Sequence, residues 1–120
     1  MGDQTMRAVI QAFLVVAVLS LTACMLPNSA EKNIAKQKIA DGALIVDVRS
    51  PKDYKAGHYA GATNIPLEEI KSQCDQLGDH CRPIVVYCYH GVMAAKAKET
   101  LVDAGFFNVS NAGGLSNLKQ

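Results

Sequence analysis

Cys88 closes the apolar run Ile84-Val85-Val86-Tyr87-Cys88 and is followed by the loop residues Tyr89-His90-Gly91-Val92-Met93. A thiol attacks only as its thiolate, which is favoured where positive partial charge converges. The run before Cys88 is rich in β-branched residues and opened by Pro83, the pattern of a buried strand. Beyond the loop, Ala94 to Ala104 carries the alanines, lysines and Glu99 of a helix, which Gly105 stops. A cysteine between a buried strand and a helix N-terminus sits where free N–H groups and the helix dipole meet, a setting for an anion. Gly91 in mid-loop allows positive φ and lets the amides turn inward as a cradle. The residues alone leave two readings open. One is a nucleophilic thiolate on the floor of an anion-binding loop; the other is a core cysteine at a strand end, the commoner fate of cysteine.

A second stretch bears on the choice. Gly42-Ala43-Leu44-Ile45-Val46-Asp47-Val48-Arg49 is followed by Pro51-Lys52-Asp53-Tyr54 and then Gly57-His58-Tyr59-Ala60-Gly61-Ala62-Thr63-Asn64-Ile65-Pro66. This resembles the N-terminal half of the rhodanese family: a strand ending Asp-Val-Arg, a Pro-x-x-(Glu/Asp)-Tyr helix start, then Gly-His-x-x-Gly-Ala-x-Asn-Ile-Pro. The Cys88 loop falls where that family keeps its catalytic cysteine, and Asn108-Val109 with Gly113-Gly114 is similar to its closing strand and turn. The resemblance runs from about residue 34 to 118.

It implies a sulfurtransferase without a cofactor, acting on a small sulfur-containing anion and a thiol or cyanide acceptor. The Cys88 thiolate would attack the outer sulfur of thiosulfate or a persulfide donor, and the resulting persulfide would be held by the amides of the loop Tyr89, His90, Gly91, Val92 and Met93. An acceptor would then take the sulfur in a second step. The family uses Asp47 and Arg49 to brace this loop; the alternative is a solvated rim pair of little energetic weight. His58 is expected to fix the turn before Gly61, and His90 to touch substrate at the rim rather than serve as an obligatory base. Six residues from Cys88 to Met93 fit the sulfurtransferase branch. Phosphatases of the same fold need one residue more and an arginine where this chain has Ala94. One departure stands out: many thiosulfate-using members carry arginine at the sixth loop position, here Met93, leaving backbone amides and Lys96 to meet an anion. A different class, a non-catalytic rhodanese-like binding or sulfur-sensing module at the cell envelope, typically lacks the cysteine that is present here.

The elements that must position these residues follow in order. Asn28 is placed to cap a helix, with Glu31 reaching back, and Ile34, Ala35, Lys38 and Ile39 form its narrow apolar stripe before Gly42. Ala43 to Val48 reads as a central parallel strand. Ser50, Pro51 and Asp53 frame a short helix. A brief strand over 63–65 and a helix from Pro66 with Leu67, Ile70, Cys74 and Leu77 on one face come next. The last strand is expected over 106–110, with a final helical turn over 115–119. Alternation of this kind specifies an α/β fold, a rhodanese-like open parallel sheet flanked by helices.

The first residues read as an address. Arg7 precedes an apolar run from Ala8 to Ala23 that is short for a membrane span and fits a signal peptide. Leu21-Thr22-Ala23-Cys24 looks like a bacterial lipobox, so residues 1–23 are expected to be cleaved and Cys24 to be lipidated. Residues 24–33 then form a tether and helix start, and 34–120 the domain. This implies a periplasmic protein anchored to the cell envelope, with Met25 after Cys24 pointing to the outer rather than the inner membrane.

Export to an oxidising compartment makes a Cys74–Cys81 disulfide a further expectation, against a core Cys74 and an exposed Cys81. Zinc binding by Cys74, His80, Cys81, Cys88 and His90 finds no compact ligand spacing, and no metal is expected. The absence of a Cys-x-x-Cys pair argues against a thiol–disulfide exchange protein. A net charge of +1 without any basic block leaves nucleic-acid binding without an electrostatic footprint. A monomer is expected.

Overall fold

The computed structural model describes residues 28–119, and the proposed signal peptide and Cys24 lie outside them. The chain runs α1 (Ser29–Ala40), β1 (Leu44–Asp47), α2 (Pro51–Ala56) and β2 (Thr63–Asn64). A segment of mixed winding over 67–77, containing α3 (Ile70–Gln73), leads to β3 (Ile84–Cys88), α4 (Val92–Asp103), β4 (Val109–Gly114) and α5 (Leu115–Leu118). The four strands form one parallel sheet in the order β2-β1-β3-β4. The two most apolar strands, β1 and β3, are therefore central, as strands covered on both faces should be.

Alternation along these strands divides the core. Ile84, Val86 and Cys88 of β3 join Val46 and Val48 in a cluster closed by Ile70, Leu77, Ala94, Ala97, Leu101 and Phe106. Val85 and Tyr87 face the other way with Ile45, against Ala35, Ala112 and Leu118. Cys88 thus faces the α4 side, and Tyr87 belongs to the opposite layer.

Three expectations need correction. Residues 67–77 are not one helix but a 3-10 turn, the single α turn of α3, and a second 3-10 stretch. The backbone leaves α-helical geometry twice, at Glu69 (φ −101°, ψ −10°) and Gln73 (φ −104°, ψ −1°), which breaks the winding into three pieces although the apolar spacing is that of an α-helix. The last strand begins at Val109 rather than Phe106, because Phe106 closes the end of α4 and Phe107 bonds to the turn before β3. Their N–H groups donate to Leu101 and His80 carbonyls, and Phe106 is buried beneath the helix. In α1 the Asn28 side chain caps by accepting from the Glu31 N–H at 2.8 Å, yet the Glu31 carboxylate turns to Lys98 and β4 instead of the cap. Ile34 is half-exposed, so the stripe of α1 rests on Ala35 and Ile39.

Candidate active site

β3 ends at Cys88, and α4 starts four residues later with Gly91 as its N-cap at φ 97°. That left-handed conformation is open to glycine at little cost. The N–H groups of Gly91 and Ala94 both donate to Cys88 Sγ, at 3.0 and 3.4 Å. Ala94 lies in the first turn of a twelve-residue helix, where N–H groups have no carbonyl partner and the dipole is positive. Both donors thus turn their partial positive charge towards the sulfur. The cysteine is buried, while Tyr89, His90 and Val92 stand exposed at the mouth of the loop.

Met93 is half-buried and packs against the Cys88 core cluster, so it brings no donor to the loop. Lys96 is exposed one turn along. Among the described residues only backbone amides bond the sulfur. His90 makes no hydrogen bond with Cys88 there; its ring lies 6.5 Å from that of Tyr89.

Below the loop lies a buried polar cluster. Arg49 and Asp47 are 4% and 0% exposed, which rules out the solvated rim pair. Arg49 Nε and Nη2 grip both carboxylate oxygens at 2.6 to 3.1 Å, and Nη2 also donates to the Gly57 carbonyl at 2.7 Å. The hydrogen bonds to Asp47 hold the guanidinium above its ordinary pKa, so its charge is permanent. Its guanidinium carbon lies over both rings, 5.7 Å from the centre of Tyr87 and 5.0 Å from that of Tyr89. Through Tyr89 the cluster reaches the residue next to the thiol. The Asp53 carboxylate beside the Tyr89 hydroxyl raises the tyrosine's pKa, and the same hydroxyl, followed by Ser50, lowers that of Asp53.

Sequence reasoning assigned no role to Tyr87 or Asn111, and placed Asn64 and Gly114 only as motif residues. The Tyr87 hydroxyl donates to Asp47 Oδ2 at 2.8 Å and accepts from the Tyr59 N–H at 3.0 Å; burial is the main cause that pushes its pKa up to about 12. Asn64 Nδ2 donates to the carbonyls of Asp47 and Arg49, fixing the end of β1. An isolated tyrosine in an aliphatic strand was the one available signal for the first of these.

His58 is exposed and stacks on Tyr54 with ring centres 3.8 Å apart, its Nδ1 donating to the Tyr54 carbonyl. It lies on the turn after α2 and makes no hydrogen bond with the Cys88 loop. The expected Cys74–Cys81 disulfide is not formed: both are free thiols, as is Cys88. Cys74 points its Sγ back at the Lys71 carbonyl, 3.2 Å away, and packs on the core, whereas Cys81 lies exposed beyond the Gly78 turn. Among the described residues no group of three or more His, Cys, Asp or Glu is placed to hold a metal.

Sheet, loop and thiol together define an α/β domain with a buried cysteine cradled at a helix N-terminus. The chain belongs to the rhodanese-like domain family, whose model matches residues 26–120. It is 40% identical over 74 residues to the thiosulfate sulfurtransferase PspE of Escherichia coli (strain K12), covering 61% of this chain and 71% of that one. It is 39% identical over 75 residues to the thiosulfate sulfurtransferase GlpE of Pseudomonas entomophila (strain L48), covering 62% and 68%. Among solved structures, a rhodanese with anions from E. coli superposes with a TM-score of 0.60 at 39% identity, over 63% of this chain and 91% of that one. The Alr3790 protein from Anabaena sp. gives a TM-score of 0.65 at 30% identity, over 73% and 82%.

Proposed function

We propose that this protein is a sulfurtransferase that carries a sulfane sulfur on Cys88. The observation that supports it most is the pair of N–H bonds from Gly91 and Ala94 to Sγ at the head of α4. In the first step the Cys88 thiolate attacks the outer sulfur of thiosulfate or a persulfide. The donor's sulfur–sulfur bond breaks, its electron pair leaves with sulfite or thiolate, and the negative outer sulfur of the new persulfide lies among the loop amides. A thiolate or cyanide then attacks that outer sulfur, and the Cys88 thiolate returns as the leaving group. Asp47 and Arg49 serve by holding Tyr89, and hence the loop, in place; His90 lines the rim.

Incubating the mature protein with thiosulfate should add one sulfur to the intact chain, removable by cyanide. A Cys88→Ser variant that loads and passes sulfur as well as wild type would overturn the assignment. Lipid attachment at Cys24 and residence on the periplasmic side of the envelope, in the outer rather than the inner membrane, belong to the same proposal on the strength of Leu21-Thr22-Ala23-Cys24. Mass spectrometry of membrane-extracted protein should then show an acylated chain starting at Cys24. A soluble chain starting at Met1 or Met6 would refute it.

A further inference from the structure

We infer that Asn111 is a positioning residue for the Cys88 thiol, and that Glu31 on the first helix holds it in place. Asn111 lies on β4 opposite Val86, two residues before Cys88 on the neighbouring strand. Past this point the register shifts: Cys88 pairs with Gly114, so β4 carries one residue more than β3 between the two pairs. The Asn111 side chain makes that shift possible. Its Oδ1 accepts the N–H of Gly113 at 2.8 Å, the local turn that asparagine forms two residues ahead, with Gly113 at φ 82°.

The other end of the same amide reaches the active-site loop. Asn111 Nδ2 donates to the Gly91 carbonyl at 3.0 Å, an oxygen that also takes the Ala95 N–H at 2.9 Å to open α4. Gly91 is the residue whose own N–H faces Sγ, and it has no Cβ to restrict its rotation. Holding its carbonyl from two sides fixes the Gly91–Val92 peptide and the first turn of α4, whose Ala94 N–H donates to Sγ, and leaves only the φ and ψ of Gly91 between that anchor and its own N–H. Asn111 is 2% exposed and all its polar side-chain groups are used, so it has one place to be.

β4 is an edge strand, and its outward N–H groups need partners from elsewhere. Glu31 Oε1 supplies one, accepting the Asn111 N–H at 3.1 Å while pairing with Lys98 on α4. The carboxylate therefore joins the N-terminal helix, the helix behind the thiol and the strand that bears Asn111. Helix α1 is part of the support of the site, not only a spacer.

The proposal rests on Cys88 being a reactive thiol, but its test needs no sulfur donor. Iodoacetamide labelling of the full mature chain, with each cysteine scored separately by peptide mass, compares wild type with Asn111→Ala, Glu31→Ala and Ser110→Ala. Asn111→Ala should slow labelling of Cys88 roughly fivefold, the weight of one neutral hydrogen bond, and leave Cys74 and Cys81 unchanged. Glu31→Ala should act in the same direction by a smaller factor. Ser110→Ala removes the acceptor of the Lys38 ammonium one position away, at 2.7 Å, and controls for lost stability without slowing Cys88. Wild-type labelling in a folded Asn111→Ala, or equal slowing by Ser110→Ala, would overturn the inference. If Asn111→Ala does not fold, unchanged labelling in Glu31→Ala overturns it instead. Failure of wild type to pass sulfur would refute the proposed function and leave this comparison intact.

Discussion

Gly114, at the end of β4, packs directly on the backbone carbonyl of Tyr89, the residue after Cys88: a Cβ on Gly114 would overlap that oxygen. The two residues belong to different strands' ends and meet because β4 runs parallel to β3 as far as Cys88. Gly114→Ala must push the loop and the strand apart. Overpacking of a tight site costs about 1–3 kcal/mol, and the displaced loop should lose sulfur loading more than the fold loses stability. Urea denaturation beside a thiosulfate loading assay measures both; wild-type loading in the Gly114→Ala variant would show that the contact does not shape the loop.

Arg49→Ala leaves the Asp47 carboxylate buried without its partner, a change that costs about 3–5 kcal/mol. Arg49→Lys keeps a charge but loses the fork to Asp47 and the guanidinium contacts with the Tyr87 and Tyr89 rings, so it should fall between. Denaturant midpoints of the two variants should follow that order.

The Tyr87 hydroxyl gives a dependence on alkaline pH. Its pKa is pushed from 10.0 up to about 12, chiefly by burial, so folding favours the neutral phenol. That contribution is complete below pH 10 and is lost as pH rises towards 12. Tyr87→Phe removes it along with the bonds to Asp47 and Tyr59, at a cost of about 1–3 kcal/mol near neutrality. The stability difference between wild type and Tyr87→Phe should narrow across that alkaline window. A constant difference would contradict the account.

Met93 offers no charge to an oxyanion, and only amides meet the sulfur. Met93→Arg places a fork of donors in the first turn of α4, and the KM for thiosulfate should fall roughly tenfold, the weight of one charge-assisted hydrogen bond. Steady-state kinetics with thiosulfate varied would reveal it. Unchanged KM in a folded variant would mean that the side chain at this position does not reach the donor.

Titration of thiols in denatured protein spanning residues 28–120, purified without reductant, should count three, for Cys74, Cys81 and Cys88. A count of one would show that the loop around Gly78 rearranges to let Cys74 and Cys81 bond.

The sequence alone determined whatever depends on short-range spacing. The β-branched run ending in Cys88, the alanine-rich helix after it and Gly91 between them predict the strand, loop and helix observed, because period, caps and φ are local properties. The same holds for the Ser50-Pro51 helix start and the central place of the two most apolar strands. The winding over 67–77 was not legible in this way, because apolar spacings of three, four and three are those of one α-helix. Tertiary structure decided the partners. Glu31 suits its own helix cap, but across space it finds Lys98 and the edge of β4, stronger claims on a carboxylate than one more cap bond. Asn111 and Gly91 are twenty residues apart, and no local pattern joins them. Their contact exists because β4 lies beside β3 with a shifted register, and parallel neighbours are chosen by how the whole sheet buries its faces.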